Sequence, residues 1–337
     1  MEPLLFIPII LSFFVTFLVL PYWIKKASKI GLLWEDMNKY KKPKIAGSGG
    51  LIVMLGFILG VLVYISLKTF YFKSAVNVLE IFAVTTSVLM LALTGLIDDL
   101  LGWWHGGLSK KFRVLLCFFA AVPLVVIDAG NSTISIPFIN GTNLGLLYAL
   151  LIIPIGILGA STTFNFLAGF NGLEAGQGIL ILFALSLVTF FTGNTWISLI
   201  GLCMVASLLA FLFFNKFPTK VFPGDVLTYS VGGLIAIMAV LGNIEKIAIF
   251  FFIPCIIEVF LKLRGKLKMH SFGKPSKDNS LEMPYKRIYG LEHFSIWFLK
   301  KIKKDGKVYE KDVVYLIWSF QIIMIILGFI IFRTTVF

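Results

Sequence analysis

The chain has 337 residues, of which 58% are hydrophobic and only 14% are charged, and its mean hydropathy is +0.95. Soluble domains contain about 45–50% apolar and about 25% charged residues, so a soluble fold of this length could not bury so much apolar surface. The formal charge of +13 is divided among several loops between apolar runs, which argues against a nucleic-acid-binding module. The composition therefore predicts an integral membrane protein.

Ten apolar runs approach the roughly 20 residues that a helix needs to cross the hydrocarbon core of a bilayer. No internal repeat or low-complexity linker divides the chain, so we expect one polytopic, all-α transmembrane domain over residues 1–337. The predicted spans, in chain order, are Leu4–Ile24, Leu51–Leu67, Val76–Ile97, Phe112–Ile127, Leu146–Phe164, Gly178–Phe191, Trp196–Phe214, Val226–Gly242, Ile247–Leu261 and Val313–Ile331.

The positive charges predict the orientation of these spans. With ten spans, loops on one side of the membrane carry 26 of the 30 lysines and arginines, and that side is expected to face the cytoplasm. A long basic loop, residues 262–312, precedes the last span on this side. On the opposite side, Ser132–Gly145 alternates polar and apolar residues around Asn140-Gly141, a dipeptide typical of tight turns, and predicts a small extracytoplasmic β-hairpin.

Adjacent carboxylates end the third predicted span, at Asp98 and Asp99. Two acids at the mouth of a span repel each other and are stabilised by cations or protons nearby. The helix dipole also disfavours acids at a helix C-terminus. The pair therefore indicates Mg²⁺ binding, handling of a phosphate-bound metal or proton transfer, rather than a solvated helix end.

Two further polar segments lie on the same predicted side. The segment Asn165–Gln177 joins two apolar runs and contains three glycines, which suits irregular backbone lining a cavity. Its asparagine carbonyls are candidate Mg²⁺ ligands or readers of a base edge. Asp225, in Val221–Val226, is either a plain helix N-cap or a metal ligand.

The long basic loop contains one further candidate, His270, which is flanked by lysines. Together they could bind a pyrophosphate, although a lone loop histidine is more often a bystander. We interpret His293 as a bystander, and Glu258 with Lys262 as a structural ion pair at i, i+4.

Several segments together resemble the polyprenyl-phosphate HexNAc-1-phosphate transferases of glycosyltransferase family 4 type. The chain looks most like the eukaryotic and archaeal branch that uses UDP-GlcNAc and dolichyl phosphate. The string Leu-Ala-Gly-x-Asn-Gly-Leu-Glu-x-Gly-Gln is highly specific to this family, whereas an Asp-Asp pair alone is a weak signal of membership. The matching segments are Asp36–Lys39, Asp98-Asp99, Asn165–Gln177, Val221–Asp225 and Ser280–Tyr285.

The resemblance implies roles for individual residues. It implies Mg²⁺, with Mn²⁺ as an alternative, bound by Asn165 and Asp225, and catalysis by Asp98 and Asp99. Arg113 stands where many members carry a lysine, so either Arg113 or Lys111 would bind phosphate. The other implied substrate-binding residues are Asn171 near the uracil, His270 at the sugar diphosphate, and Glu174, Asp36 and Asn38 within the matching segments.

The resemblance also implies a reaction. GlcNAc-1-phosphate would pass from UDP-GlcNAc to a polyprenyl (dolichyl) phosphate, giving GlcNAc-PP-lipid and UMP, the first step of lipid-linked oligosaccharide assembly for N-glycosylation. We prefer direct attack by the lipid phosphate over an aspartyl-phosphate intermediate. The active site would face the cytoplasm of an archaeal cell membrane or, in a eukaryote, of the endoplasmic reticulum.

Other functions compete with this one. A related transferase for another UDP-HexNAc is the alternative within the enzyme class, and a secondary transporter is the alternative outside it. The family also makes a homodimer plausible. The missing histidine-rich version of the long loop argues against a muropeptide substrate.

Overall fold

A computed structural model describes residues 2–136 and 139–336, with side chains for all of these except 104, 105 and 134–142. The chain is mostly helical. Its helices are α1 (Phe6–Ile30), α2 (Gly50–Ser66), α3 (Val78–His105), α4 (Lys110–Phe119), α5 (Val122–Val126), α6 (Ile153–Phe166), α7 (Leu173–Phe191), α8 (Thr195–Asn215), α9 (Gly224–Gly242), α10 (Glu245–Phe251), α11 (Ile253–Arg264), α12 (Leu291–Ile302), α13 (Glu310–Ile331) and α14 (Arg333–Val336).

Within the described residues, three two-stranded antiparallel sheets lie in the connections. They pair β1 (Leu33–Glu35) with β2 (Lys44–Ala46), β3 (Thr133–Ile136) with β4 (Ile139–Asn143), and β5 (Lys274–Pro275) with β6 (Leu281–Glu282). The predicted hairpin within Ser132–Gly145 is therefore confirmed. Its predicted turn is wrong, because Asn140 and Gly141 lie inside β4, opposite a register shift in β3.

Eight helices in the described residues are long and apolar enough to cross a membrane, which agrees with an integral membrane protein. They coincide with eight of the ten predicted spans: Pro3–Ile30, Gly50–Tyr71, Val78–Trp103, Tyr148–Phe166, Leu173–Phe191, Thr195–Asn215, Gly224–Gly242 and Glu310–Ile331.

The two remaining predicted spans are not continuous helices. In place of Phe112–Ile127 the chain forms α4 and α5, and in place of Ile247–Leu261 it forms α10 and α11. A proline stands within the first two residues of each second helix, at Pro123 and Pro254. Because proline has no backbone N–H and its ring clashes with the preceding turn, the helix is interrupted there.

Helix α9 lies at the centre of the bundle, whereas α1 and α13 lie at its edge. Two close approaches hold α9 against its neighbours. A Cβ on Gly95 of α3 would lie 2.4 Å from the backbone of Asp225, and a Cβ on Gly232 of α9 would lie 2.6 Å from the carbonyl of Ala160 on α6. Small residues allow such backbone contact between membrane helices, and they place α3, α6 and α9 around one site.

Candidate functional site

A cavity of about 500 Å³ opens where the loops meet the ends of α3, α6, α7 and α9. It receives six of the residues singled out from the sequence, although they are far apart in the chain. Those six are Asp36, Asp99, Asn165, Asn171, Glu174 and Asp225. The tertiary fold thus gathers the separate polar segments into one acidic cavity.

The aspartate pair lies inside α3 rather than at its end, because that helix continues to His105. Both side chains are buried. The carboxylate of Asp99 accepts hydrogen bonds from the Ser48 hydroxyl (2.9 Å) and from the backbone N–H of Asp225 (2.8 Å). Asp98 accepts a bond from the backbone N–H of Leu108 (2.6 Å). These bonds fix the orientation of the Asp99 carboxylate, which lines the cavity, and of the neighbouring Asp98.

The interpretation of Asp225 as an N-cap is wrong. Helix α9 begins at Gly224, so Asp225 lies in its first turn, and Pro223 at the cap position makes no side-chain cap. Asp99 of α3 instead accepts from the N-terminal backbone of α9. The Asp225 side chain is therefore free of a capping role and lines the cavity.

Asn165 of α6 lies beside the first turn of α9. Thr228, one turn after Asp225, donates a hydrogen bond from its hydroxyl to Oδ1 of Asn165 (2.9 Å). Asn165 and Asp225 both line the cavity, so an amide and a carboxylate side chain border the same space. Such hard oxygen ligands suit Mg²⁺, which keeps several waters or substrate phosphates and needs only one or two protein ligands.

Arg113, in α4, has a guanidinium that reaches two of these aspartates. Its guanidinium lies 3.1 Å from the Asp98 carboxylate and 4.0 Å from that of Asp225. Lys111 lies in the first turn of the same helix and is exposed. The geometry therefore favours Arg113 over Lys111 as the residue that can contact a phosphate between the aspartates.

The segment Asp36–Lys39, between β1 and β2, forms another wall. Asn38 donates to the carbonyl of Gly169 (2.8 Å) and accepts from the backbone N–H of Gly273 (3.0 Å). Asn171 donates from its amide to the Asp36 carboxylate (3.0 Å). Asn38 thus joins three loops, while Asp36 and Asn171 line the cavity.

Helix α7 begins at Leu173, five residues before the predicted span, so Glu174 lies in its first turn rather than in a loop. Oε1 of Glu174 accepts from the backbone N–H of Gly169 (2.8 Å), and Oε2 is buried without a hydrogen-bond partner among the described residues. Gly169 has φ +112°, a conformation that favours glycine. The glycine-rich segment is therefore folded tightly over the first turn of α7.

Several residues of this site escaped the sequence analysis. Ser48 and Thr228 orient Asp99 and Asn165, and Phe272 lines the cavity. Glu310, the first residue of α13, is buried and bonded to Asn38, Lys39 and Asn171. The only signal in the sequence was a carboxylate directly before the last apolar run, and that position is also common for ordinary helix starts.

His270 lies at the rim rather than in the cavity. Its side chain is exposed and stacks on Phe272, with ring centroids 6.5 Å apart. Its backbone N–H donates to the hydroxyl of Tyr285 (3.2 Å), whose ring packs against buried His293. The predicted ion pair of Glu258 and Lys262 is confirmed at 3.2 Å.

The charge states of His293 and Asp278, in the long loop, agree with a structural role for these two residues. Burial, and secondly the Lys262 ammonium, lower the pKa of His293 to about 4, so its imidazole is neutral at physiological pH. Hydrogen bonds from Lys307 and Ser280 hold the pKa of Asp278 well below its usual range. His293 is thus a packed residue of the loop, which agrees with its interpretation as a bystander to the chemistry.

The chain belongs to glycosyl transferase family 4, whose model matches residues 81–243. This stretch contains the aspartate pair, Arg113, the segment Asn165–Gln177 and Asp225. The resemblance drawn from these motifs is therefore confirmed at the level of the family.

Individual relatives extend the similarity to nearly the whole chain. A Saccharolobus solfataricus protein named "putative UDP-N-acetylglucosamine–dolichyl-phosphate N-acetylglucosaminephosphotransferase" is 36% identical over 98% of this chain and 97% of its own length. A Sulfolobus acidocaldarius protein with the same name is 30% identical over 97% of this chain and 95% of its own. The UDP-N-acetylglucosamine–dolichyl-phosphate N-acetylglucosaminephosphotransferase of Dictyostelium discoideum is 28% identical over 72% and 67%.

Proposed function

We propose that this protein is a phospho-N-acetylhexosamine transferase that moves GlcNAc-1-phosphate from UDP-GlcNAc to dolichyl or another polyprenyl phosphate. The products are GlcNAc-PP-lipid and UMP, and the reaction begins assembly of a lipid-linked oligosaccharide for N-glycosylation. The substrates named for the relatives support this choice. The active site would lie on the cytoplasmic face, where most of the positive charge is predicted.

The observation that carries the proposal is the cavity itself. Asp99 and Asp225 line it, and the guanidinium of Arg113 lies beside it, 3.1 Å from the Asp98 carboxylate and 4.0 Å from that of Asp225. This excess of negative charge attracts a cation, and a cation with Arg113 would attract a diphosphate. A cavity of this composition at the end of membrane helices suits phosphoryl transfer between a water-soluble and a lipid substrate.

The residues present fit a bound Mg²⁺. Asp225 and Asn165 would hold it, since both residues line the cavity and an amide oxygen has a second lone pair beyond the one used by Thr228. When bound, Mg²⁺ would neutralise the diphosphate and the charge that develops on UMP as it leaves. Mn²⁺ has the same preference for oxygen ligands and is the alternative.

The protein's own groups position the two substrates. An oxygen of the lipid phosphate attacks the sugar-side phosphorus of UDP-GlcNAc in line, and the bond from that phosphorus to the bridging oxygen breaks, so that UMP leaves. Arg113 would bind the phosphates electrostatically. The lipid phosphate, with a second pKa of about 6, is already largely dianionic at neutral pH. Asp98 and Asp99 would therefore act mainly by orienting groups rather than by removing a proton.

A second, apolar groove of about 330 Å³ extends along α6 and α9 towards α10 and α11. Thr163 and Ala160 of α6 line it, and Asn165 of the same helix lines the acidic cavity, so both cavities lie along α6. Its only described ionic group, Glu245, is bonded to the Tyr148 hydroxyl (2.7 Å). We assign this groove to the isoprenoid chain of the lipid substrate.

The groove leads to a specific prediction. A Cβ on Gly159 would meet no atom within 4 Å, so Gly159→Leu places its side chain in the groove without strain. We expect the KM for dolichyl phosphate to rise about tenfold, because displaced chain contacts are worth about 0.8 kcal/mol per CH₂. The KM for UDP-GlcNAc should not change. Ile155→Phe, which adds bulk to an exposed residue of the same helix, is the control. Equal effects on both KM values would contradict the assignment.

The reaction itself is tested with detergent-purified protein, UDP-GlcNAc, Mg²⁺ and dolichyl phosphate. The proposal requires UMP release that depends on both the lipid and the metal, and that yields GlcNAc-PP-lipid. Omitting lipid should abolish UMP release if attack is direct, whereas release without lipid would indicate a covalent intermediate. Well-folded protein that releases no UMP with any UDP-HexNAc and polyprenyl phosphate would overturn the proposal.

A further inference from the structure

A group of ionisable side chains is buried outside the acidic cavity, at the contact between α11 and α12. Glu258 and Lys262 lie on α11, and Glu292 lies in the first turn of α12. Both glutamates are fully buried, and Lys262 is 6% exposed. A buried charge is costly unless it is paired, so two acids beside one ammonium leave one negative charge to be explained.

The two carboxyl groups differ in their donors. Both oxygens of Glu292 are buried without a donor among the described residues, whereas Glu258 accepts from the backbone N–H of Leu291 (2.6 Å) and is paired with Lys262. The carboxyl groups are also neighbours, since a Cβ on Gly290 would lie 2.5 Å from Oε2 of Glu292 and 2.9 Å from Oε1 of Glu258. Adjacent buried carboxyl groups do not both ionise, so one of them carries a proton.

A proton on Glu292 accounts for these observations. The protonated carboxyl donates a hydrogen bond to Glu258 and no longer needs a donor of its own. Burial, and secondly the negative charge of Glu258, raise the pKa of Glu292 well above its usual range. The group is then neutral, because the one remaining negative charge is balanced by the ammonium of Lys262.

Lys262 connects this buried group to the cavity. Its ammonium is bonded to the hydroxyl of Ser271. The next residue, Phe272, lines the cavity, and the backbone N–H of Gly273 donates to Asn38 (3.0 Å). This short segment therefore passes from the buried group to the cavity wall, and a polar contact holds it at each end.

We propose that Glu258 and Glu292 share one buried proton, and that the pair keeps Lys262 in place as the anchor of segment 271–273. The three residues lie outside the cavity and act on it through that segment. Their effect on binding rests on the proposed function, in which the cavity receives UDP-GlcNAc. The shared proton does not depend on that function.

The direction of the pH dependence follows from the charges around Glu292. Glu258 and Lys262 act on it from α11, and Glu174 acts on it from α7. His293, the next residue of its own helix, is neutral. In the unfolded chain Glu292 loses its proton at about pH 4.3, whereas in the folded chain it keeps the proton to a higher pH. Between these two values the folded state binds the extra proton, so its stability falls as the pH rises.

The proton is tested with Glu292→Gln, whose amide can donate to Glu258 at any pH. We expect its melting temperature, relative to that of the wild type, to rise by about 2 °C between about pH 5 and about pH 8, because only the wild type must take up a proton to fold. Glu258→Gln is the second variant: it leaves one carboxylate for one ammonium and should show the same rise. The control is Glu282→Gln, at an exposed glutamate of the same loop that pairs with Lys300, and it should show no rise.

The anchor is tested with Ser271→Ala, which removes the bond to Lys262 and leaves the buried acids unchanged. We expect the Kd for radiolabelled UDP-GlcNAc, measured with Mg²⁺, to rise about fivefold, the usual effect of losing one hydrogen bond. The KM for dolichyl phosphate should not change. Ser271→Thr keeps the hydroxyl and should bind UDP-GlcNAc as the wild type does.

Each outcome decides one part of the inference. A melting-temperature difference that does not change with pH, or two glutamine variants that both fail to fold, would overturn the shared proton. Wild-type affinity for UDP-GlcNAc in Ser271→Ala would overturn the role as anchor, and normal lipid-dependent UMP release in the wild type would still leave the transferase reaction intact. A wild type that binds no UDP-GlcNAc would overturn the proposed function together with the anchor, while the melting experiment would still decide the proton.

Discussion

Replacing Asp225 with asparagine is expected to lower the rate of lipid-dependent UMP release at least about a hundredfold, the usual cost of removing one preorganised electrostatic group from an active site. The physical reason is the position of the side chain, in the first turn of α9, where it faces the cavity beside Asn165. Asparagine keeps the shape but loses the charge that a divalent cation requires. The measurement is the initial rate of UMP release over a range of Mg²⁺ concentrations.

The Mg²⁺ requirement distinguishes the loss of a metal ligand from general damage to the fold. If Asp225 binds Mg²⁺, Asp225→Asn should require a higher Mg²⁺ concentration for half-maximal rate, while its melting temperature stays close to that of the wild type. Asp128→Asn is the matched control, because Asp128 is exposed and asparagine tolerates its φ of +51°. A variant with the wild-type rate and the wild-type Mg²⁺ requirement would exclude Asp225 as a metal ligand.

Gly95→Ala is the substitution with the largest expected structural effect on the site. A Cβ at this position would lie 2.4 Å from the carbonyl carbon and oxygen of Asp225 and from the backbone nitrogen of Val226. Because these are backbone atoms, no side-chain rotation can relieve the clash, so α3 and α9 must separate. Overpacking typically costs about 1–3 kcal/mol. We expect a lower melting temperature and a loss of activity of at least about tenfold.

The loss of activity should exceed what reduced stability alone explains. Separating the helices breaks the bond from the Asp225 backbone to Asp99 and moves Asp98 and Asp99 away from α9. Gly102→Ala is the control on the same helix, since its Cβ would make only an ordinary contact at 3.9 Å, and alanine favours a helix. Wild-type activity in folded Gly95→Ala would show that the site tolerates a wider spacing between α3 and α9.

Most of the membrane helices could be predicted, because hydropathy reports local composition and each helix satisfies its own backbone hydrogen bonds. Hydropathy wrongly predicted a continuous helix through Pro123 and through Pro254, because the apolar run continues there but the helix is interrupted. It also misplaced the start of α7, because Glu174, Gly176 and Gln177 look like a polar loop. In the fold they are helical residues buried against other elements.

The candidate residues were identified for two reasons that do not depend on tertiary structure. Carboxylates and asparagines beside apolar runs are costly unless they have a function, and the string around Asn171 is specific to a family. Glu310 gives no such signal, since an acid at the start of a helix is ordinary. Its place in the site is visible only in the structure, where its carboxylate is buried and accepts four hydrogen bonds, from Asn38, Lys39 and Asn171.

Membrane character, most of the spans, the family and the polar segments at the cavity could all be predicted from composition and motifs, because these are properties of neighbouring residues. Three features became visible in the folded chain alone: Asp99 accepts from the first turn of α9, Arg113 rather than Lys111 reaches the aspartates, and Glu310 bonds Asn171. Each of these depends on how helices and loops pack against one another, as at Gly95 and Asp225, and no local pattern encodes such distances.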